Sequence, residues 1–299
     1  MTEPRQIVGS SKKPRRITAA AEAGAHALTY HGGRLIQNAE VTTIYFGPQW
    51  KSDLLKVQLD MFFDFVLTSS LIDQLAEYSS NGMTIGHGSH VASFVLETDP
   101  GPTVDNAQVQ DLLGQLIAGG SVPAPNANSL YFVFLPSGTT VTLGQDASCQ
   151  QFCGFHDVTP DGIVYAVDPY DDCAGCQFAP GDLLASTTVV ASHELCEAIT
   201  DPELDAWFDD ANGEEIGDLC ETAPPKVISA AGTLDAPVAV TYSVGVSPSS
   251  IVADGTTPVT LAVTLTPAGT PPPPPPPPSP GGQAWTVQKE WSNAKGACV

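Results

Sequence analysis

The pattern of apolar and polar residues predicts strands and helices that follow one another along most of the chain. Residues 41–46 (VTTIYF) are rich in β-branched and aromatic side chains and end at a Gly-Pro pair, so they predict a strand. In residues 54–66 the apolar side chains recur every three or four positions, which predicts an amphipathic helix. Residues 130–135 (LYFVFL) are continuously apolar and of strand length, which is typical of a strand buried inside a sheet.

The same reasoning predicts further elements, which together indicate the fold class. They are a helix that begins at Ser69 or Ser70, a helix capped by Asn106, strands at 90–96, 163–167 and 285–288, and a helix from Val189 to Ile199 that ends at Asp201-Pro202. Strands that alternate with helices in this way predict an α/β (α+β) domain of mixed, layered architecture.

Composition divides the chain of 299 residues into three parts. Residues 1–38 are polar, then basic, then Ala-rich, and predict a flexible N-terminal arm. Residues 39–222, together with residues 283–299, have the alternating pattern of the main domain. Residues 223–282 interrupt that pattern and predict a low-complexity insertion within the domain.

The predicted insertion has two regions of different character. Two alternating stretches about a turn at residues 253–255 resemble a fragment of a bacterial immunoglobulin-like repeat, which is too short for a full sandwich. Residues 271–280 (PPPPPPPPSP) predict a polyproline II spacer, because this composition cannot pack as helix or sheet.

The charge of the chain argues against two classes of partner. Asp and Glu number 33 against 11 Lys and Arg, the net charge is −22, and neither Lys nor Arg occurs between Lys56 and Lys226. Nucleic acid and anionic membranes bind basic surfaces, so neither is expected as a partner. No stretch is apolar enough to predict a membrane span or a clear signal peptide.

The seven cysteines allow more than one interpretation. Two close pairs fit local or crossed disulfides, a redox pair, or a structural zinc site made by all four thiolates, which are Cys149, Cys153, Cys173 and Cys176. Cys220 and Cys298 flank the insertion and are natural bridge partners, and Cys196 is then expected to be the free thiol. Disulfides predict an extracellular or secreted protein.

Residues 188–221 carry the candidate chemistry. On a helix, His193 and Glu197 share a face, and Glu194 follows His193 as the general base does in a zinc-peptidase helix. Eleven carboxylates lie between Glu194 and Glu221 without a Lys or Arg among them, which predicts a divalent metal as counterion. HExxE is a weaker pattern than HExxH, and the alternative is a solvated acidic helix with one incidental histidine.

If this stretch binds a metal, its histidine and carboxylates have expected roles. His193 and Glu197 would be ligands, Asp201 or a residue of the EIGD segment (215–218) would supply the third, and Glu194 would accept a proton from the attacking water. Each carboxylate ligand weakens zinc as a Lewis acid. One imidazole with several carboxylates is therefore also typical of a calcium or manganese site.

Several segments of the chain match one known family in the same order. They are IYFGPQW (44–50), CQQFCGFH (149–156), YAVDPYDDCAGC (165–176) and the region after Pro180. With them the chain resembles the phosphate-induced protein 1 / Exordium-like family of plants and bacteria, over roughly residues 40–222 and 285–299.

The motif HExxEAxTDP, followed by EIGD and a terminal WSN…C, resembles the bacterial branch of this family. That resemblance implies a zincin-like, metal-dependent hydrolase. The residues that match its motifs are His193, Glu194, Glu197, Asp201, Glu215 and Asp218, with His156 in the CGxH element. The chain differs from the family at two positions. The spacing of the two cysteines in the CxxC at 173–176 is one residue shorter than in the plant proteins, and Cys196 occupies a position expected to be small and apolar.

Two functions follow as alternatives. The first is a zinc-dependent hydrolase, a metallopeptidase by its motif, that acts as a monomer on a peptide or cell-wall substrate outside the cytoplasm. The second is a non-catalytic extracellular protein that binds a cell surface or cell wall and has a structural calcium site, which the immunoglobulin-like fragment and the proline spacer favour. A third possibility, a degenerate family member without a metal, would leave buried charges without partners.

Overall fold

Five strands form one sheet around which the rest of the protein is built. The computed structural model describes residues 27–229 and 283–299. In this part of the chain the helices are α1 (Leu54–Val66), α2 (Ser70–Leu75), α3 (Asn106–Ala118) and α4 (Leu183–Thr200). The strands are β1 (Leu28–Tyr30), β2 (Glu40–Phe46), β3 (Ser89–Leu96), β4 (Thr103–Asp105), β5 (Ser129–Phe134), β6 (Thr140–Leu143), β7 (Asp146–Ala147), β8 (Phe155–Val158), β9 (Val164–Asp168), β10 (Trp207–Asp209), β11 (Lys226–Ser229), β12 (Ala284–Val287), β13 (Trp291–Ser292) and β14 (Ala297–Cys298).

The main sheet has the strand order β3-β2-β5-β9-β8. Strands β3, β2, β5 and β9 are parallel, whereas β8 runs antiparallel to β9 along one edge. Strand β5 lies in the middle, and all its residues are buried, which confirms the strand predicted from LYFVFL. The predicted mixed α/β architecture is confirmed by this sheet and its helices.

Helices cover both faces of the sheet. On one face, Val109 and Leu113 of α3 share a buried cluster with Tyr131 of β5. On the other face, Phe63 of α1 packs against Phe132 of β5, with 4.7 Å between the ring centres. Successive residues of the strand therefore face different helices, as a mostly parallel sheet buried on both sides requires.

Side-chain caps set the starts of the shorter helices. Ser69 caps α2, as predicted, through a hydrogen bond that its Oγ accepts at the start of the helix. The predicted cap of α3 is wrong, because Asp105 rather than Asn106 accepts the hydrogen bond from the N–H of Gln108, at 2.8 Å. The Gln108 side chain accepts one back from the N–H of Asp105, which completes a capping box, while the Asn106 side chain donates to Asp157.

Helix α4 is buried along almost its whole length. It begins after Asp182, whose Oδ1 accepts a hydrogen bond from the N–H of Ala185 at 2.9 Å, and it ends at Thr200, directly before Asp201-Pro202 as predicted. Every residue from Ala185 to Thr200 is buried. The alternative of a solvated acidic helix is therefore wrong, because the charged side chains of this helix lie in the interior.

The packed domain is larger than the sequence predicts at two boundaries. Residues 1–38 were expected to form a flexible arm. Within residues 27–38, however, β1 pairs with β10, and Leu35 and Ile36 are buried. Strand β11 pairs antiparallel with β12, although it belongs to the predicted insertion 223–282. Strands of three or four residues are too short for a periodic pattern to reveal. The predicted immunoglobulin-like fragment and polyproline spacer lie outside the described residues.

Three disulfides connect six of the seven cysteines. The pairs, with Cα–Cα distances of 6.0, 5.5 and 5.6 Å, are Cys149–Cys173, Cys153–Cys176 and Cys220–Cys298. The Cys220–Cys298 bridge and the free, buried Cys196 are confirmed, and the two close pairs are crossed. A zinc site made by four thiolates is wrong, because these sulfurs are bonded to one another.

The disulfides indicate an extracellular or secreted setting, since such bonds persist in oxidising compartments. Within residues 27–229 and 283–299, no helix has both the length and the apolar character that crossing a membrane requires.

The Cys220–Cys298 disulfide should contribute more to stability than either crossed disulfide. It joins residues 78 apart, and closing such a loop stabilises the fold by about 4 kcal/mol in the loop-entropy model. Cys149 and Cys173 are 24 apart, but Cys153–Cys176 still closes almost the same loop when they are mutated. We expect urea unfolding to show a loss of about 4 kcal/mol for C220S/C298S and about 1 kcal/mol for C149S/C173S. Equal losses would contradict this explanation.

Candidate metal centre

Two imidazoles and four carboxylates converge in the interior beside helix α4. The helix contributes three of them at positions that share one face, strand β8 contributes a histidine, and the loop after β10 contributes two carboxylates. These residues are His193, Glu194 and Glu197 from α4, His156 from β8, and Glu215 and Asp218 from the loop. The sequence predicts all six as site residues, and the fold brings them together.

The first group of candidate ligands consists of His193, Glu197 and Asp218. The Nε2 atom of His193 lies 2.9 Å from Oε1 of Glu197 and 3.8 Å from Oδ1 of Asp218. The N–H of Asp218 donates to the same Glu197 oxygen at 3.3 Å. The backbone of Gly217 lies against the ring of His193, where a Cβ atom would be only 2.5 Å from Nδ1. This glycine therefore leaves the room that the imidazole occupies.

The second group consists of His156, Glu194 and Glu197. The Nδ1 atom of His156 is 3.5 Å from Oε2 of Glu194 and 3.5 Å from Oε2 of Glu197. On the other side of the ring, Nε2 lies 3.5 Å from Oε1 of Glu215 and 3.2 Å from the carbonyl oxygen of Asp201. Glu197 thus belongs to both groups, and His156 lies between two sets of oxygen atoms.

Most polar atoms of this cluster are buried without an aligned hydrogen-bond partner in the described residues. They include both ring nitrogens of His193, Nδ1 of His156, both carboxylate oxygens of Glu194 and of Glu215, and Oε2 of Glu197. The side chains of both histidines, Glu194 and Glu197 have no exposed surface. An unsatisfied buried polar group costs about 1–3 kcal/mol and a charged one more, so a stable protein needs something that compensates these atoms.

The pKa values of these groups are shifted in opposite directions. Burial raises the pKa of Glu194, and it raises that of Glu215 well above the usual range. For Glu197, burial alone would raise the pKa, but His193 and His156 outweigh it and lower the pKa to about 2. Burial alone would lower the pKa of His193, and the carboxylate of Glu197 raises it instead. Burial therefore disfavours the ionised forms of Glu194 and Glu215, whereas the two histidines favour the ionised form of Glu197.

The donor set fits a divalent metal ion. Imidazole nitrogen and carboxylate oxygen are both zinc ligands, and the two groups of three match the number of protein ligands in catalytic zinc sites. The excess of carboxylates is also compatible with calcium or manganese, which prefer oxygen. A cation at this position would provide a partner for those buried atoms that belong to the two groups of ligands.

Asp201 is placed differently from the other predicted ligands. Its Oδ1 accepts a hydrogen bond from the N–H of Ala206 at 2.6 Å, where the chain turns after α4. Its carbonyl oxygen faces Nε2 of His156 at 3.2 Å. Asp201 therefore contacts the centre through its backbone, and its side chain is in neither group of ligand atoms. The side chain of Glu215, another predicted ligand, is also in neither group, and its Oε1 lies 3.5 Å from Nε2 of His156.

Several of the remaining carboxylates of the acidic stretch have other partners. Arg34 forms an ion pair with Glu203, and His31 lies 3.2 Å from Asp210. Asp209 accepts hydrogen bonds from backbone N–H groups of the following turn. The expectation that no basic side chain is near this stretch is therefore wrong for its surface residues. Arg34 is distant in sequence, and composition alone cannot reveal such a contact.

Three further buried carboxylates near the centre were not predicted as site residues. Asp168 ends the parallel strand β9, Asp171 follows it, and burial raises the pKa of both. Both lie at the carboxyl end of a buried strand, inside the family-like segment YAVDPYDD, and this position could have indicated them as site residues. Glu290 comes from the C-terminal segment and is fully buried, with no sequence pattern to mark it.

Alanine at Gly217 or Gly154 should damage the centre. A Cβ at Gly154 would lie 2.7 Å from Val190 and 3.0 Å from Oε1 of Glu194, and one at Gly217 would collide with His193. We expect each variant to lose about 1–3 kcal/mol of stability and to bind metal more weakly. Gly114→Ala is the control, because nothing lies within 4 Å of that position in α3 and the helix should gain about 0.5–1 kcal/mol. Equal behaviour of the three variants in thermal and metal titrations would rule out this steric account.

Glu290 should make stability depend on pH. Burial raises its pKa to about 8, above the value of about 4.3 for an unfolded chain. The folded state therefore binds the proton more tightly, and its contribution to stability is complete below about pH 4 and is lost as the pH rises through 8. In metal-free protein, Glu290→Gln should become more stable than wild type with rising pH, by about 1–3 kcal/mol at pH 9. The exposed Glu97→Gln is the control, and a difference that is constant from pH 5 to 9 would contradict the prediction.

Comparison with known proteins gives one distant relative. No family model matches the chain. The chain is similar to Protein EXORDIUM-like 5 of Arabidopsis thaliana, with 25% identity over 237 residues, which are 65% of this chain and 64% of the relative. The match thus spans slightly less than two thirds of the relative's length. This similarity supports the resemblance of the chain to Exordium-like proteins.

Proposed function

We propose that the protein is a metal-dependent hydrolase, with zinc as the metal and a peptide bond as the substrate. The observation that supports this most is the burial of two imidazoles among four carboxylates, where most of the polar atoms lack hydrogen-bond partners in the described residues. The packing of the HExxE helix beside the antiparallel edge strand β8 supports a zincin-like domain of the bacterial Exordium-like branch. The disulfides favour action outside the cytoplasm.

In this proposal, His193, Glu197 and Asp218 hold the metal. A bound zinc ion supplies Lewis-acid polarisation of a carbonyl and lowers the pKa of water. Glu194 accepts the proton of the attacking water. Burial raises the pKa of Glu194, which brings it closer to the working pH and makes it a better base than an exposed carboxylate.

The burial of the ligands limits how a substrate could reach the metal. The side chains of His193 and Glu197 have no exposed surface, whereas that of Asp218 is 17% exposed. Solvent therefore approaches from the loop that carries Asp218, and a substrate would have to enter on that side. Because the other ligands are fully covered, hydrolysis requires this loop to move.

The same burial favours a second function. A closed, carboxylate-rich cluster is typical of a structural cation site, and calcium prefers oxygen ligands. In this alternative the protein is a non-catalytic extracellular protein that binds a cell surface or cell wall, and the metal stabilises its fold.

Two substitutions test the hydrolase directly. Glu194→Gln should keep the metal of the His193 group and lower casein hydrolysis by about a hundredfold or more, because an amide cannot accept a proton. His193→Ala should lose that metal and the activity together. The matched control is Glu203→Gln, a surface carboxylate of the same acidic stretch, which should cleave like wild type.

The measurements are metal content by elemental analysis after purification without added metal, and cleavage of casein and a broad peptide library with and without a chelator. A wild-type protein that binds calcium, melts at a lower temperature in chelator and cleaves nothing would support the structural alternative. A melting temperature that ignores both chelator and added metal would rule out both.

A further inference from the structure

The two oxygens of the Glu197 carboxylate face different histidines. Oε1 lies 2.9 Å from Nε2 of His193, and Oε2 lies 3.5 Å from Nδ1 of His156. Neither contact is an aligned hydrogen bond of the histidine nitrogen, since both nitrogens lack such a partner in the described residues. A carboxylate placed in this way presents one lone pair to each of two separate positions, as a bridging ligand does.

The ring of His156 has a defined orientation. Its Nε2 lies 3.2 Å from the carbonyl oxygen of Asp201, which can only accept a hydrogen bond, so Nε2 carries a proton. A neutral ring then has an unprotonated Nδ1, directed at Glu194 and Glu197. Such a second contact to a backbone carbonyl is how metal-binding histidines are commonly held. Nδ1 therefore needs a positive charge between itself and the two carboxylates, which is a proton in the metal-free protein and a metal ion in a loaded centre.

The spacing of these atoms agrees with a cation between them. Both Nδ1–oxygen distances are 3.5 Å, which is longer than the 2.7–2.9 Å or so of a charge-assisted hydrogen bond. Ligands about 2.0 Å from a tetrahedral zinc ion are roughly 3.3 Å from one another. Both distances are thus closer to the separation of two ligands of one ion than to that of hydrogen-bond partners, and the two oxygens lie within 4.8 Å of each other.

We propose that the centre holds two divalent metal ions that share Glu197. His193, Glu197 and Asp218 form the first position, and His156, Glu194 and Glu197 form the second. This inference rests on the proposed metal centre but does not depend on hydrolysis.

The charge of the cluster agrees with two ions. Glu194, Glu197, Glu215 and Asp218 together carry four negative charges when ionised, and both histidines are neutral when they are ligands. One divalent ion leaves two of these charges uncompensated in the interior, whereas two divalent ions balance them. Pairs of ions about 3.5–4 Å apart are a common arrangement in hydrolytic sites.

Glu194 can serve in the second position and still accept a proton. Its Oε2 is the atom near His156, while Oε1 is directed toward Gly154. Binding through Oε2 alone leaves Oε1 as the acceptor. Oε1 is buried like the rest of the side chain, and the absence of a Cβ at Gly154, which would lie 3.0 Å away, leaves the space that it occupies.

Metal stoichiometry tests the second position. Metal-stripped wild-type protein titrated with zinc should bind two equivalents, observed by calorimetry and by native mass spectrometry. His156→Asn and His193→Asn should each bind one equivalent, and Glu197→Gln should weaken both positions by at least tenfold. The control is His87→Asn, an exposed histidine paired with Asp73, which should bind two.

Manganese provides a second readout, which does not depend on the zinc titration. With two equivalents of Mn²⁺, the electron paramagnetic resonance spectrum should be that of a spin-coupled pair, and with His156→Asn it should be that of isolated ions. Wild-type protein that saturates at one equivalent or at none, or that shows only isolated manganese, would overturn the proposal. If two ions bind but no peptide is cleaved, the two-ion centre is supported and the proposed hydrolase function is ruled out.

Discussion

The fully buried carboxylate of Glu197 is the constraint on which the rest of the structure depends. A charge without exposed surface is stable only among compensating groups, and this one faces His193 on one side and His156 on the other. These partners come from α4 itself and from β8, while the N–H of Asp218 arrives from the loop after β10. The order of the strands, the burial of α4 and the position of the loop after β10 therefore bring the compensating groups to this carboxylate. A change in any of them would leave its charge uncompensated.

The crossed disulfides hold one of these partners in place. Cys149 and Cys153 directly precede β8, and Cys173 and Cys176 follow β9, the neighbouring strand. The edge strand that carries His156 is thus attached to the sheet covalently as well as by hydrogen bonds. An edge strand is otherwise the part of a sheet that opens most easily. The covalent attachment restricts the movement of a histidine that must keep its position beside α4.

Sequence patterns predicted the elements with strong periodicity and the residues of the acidic helix. Helix α1, strand β5 and the end of α4 at Asp201-Pro202 follow from local physics, and the HExxE spacing placed His193 and Glu197 on one face. What could not be predicted depends on tertiary contacts. The pairing of β1 with β10, the ion pair of Arg34 with Glu203, and the backbone role of Asp201 join segments whose proximity only the fold creates.

The pairing of β11 with β12 has a consequence for how this protein can vary between species. Ser229 and Ala284 are opposite each other in the ladder, so the two ends of the segment that joins these strands are adjacent. A segment inserted at such a point adds a closure entropy that grows only with the logarithm of its length. The six residues of the centre around Glu197 all precede this segment in the chain. Between these adjacent ends the chain can therefore change in length at a small entropic cost, because the ladder already holds the two ends together.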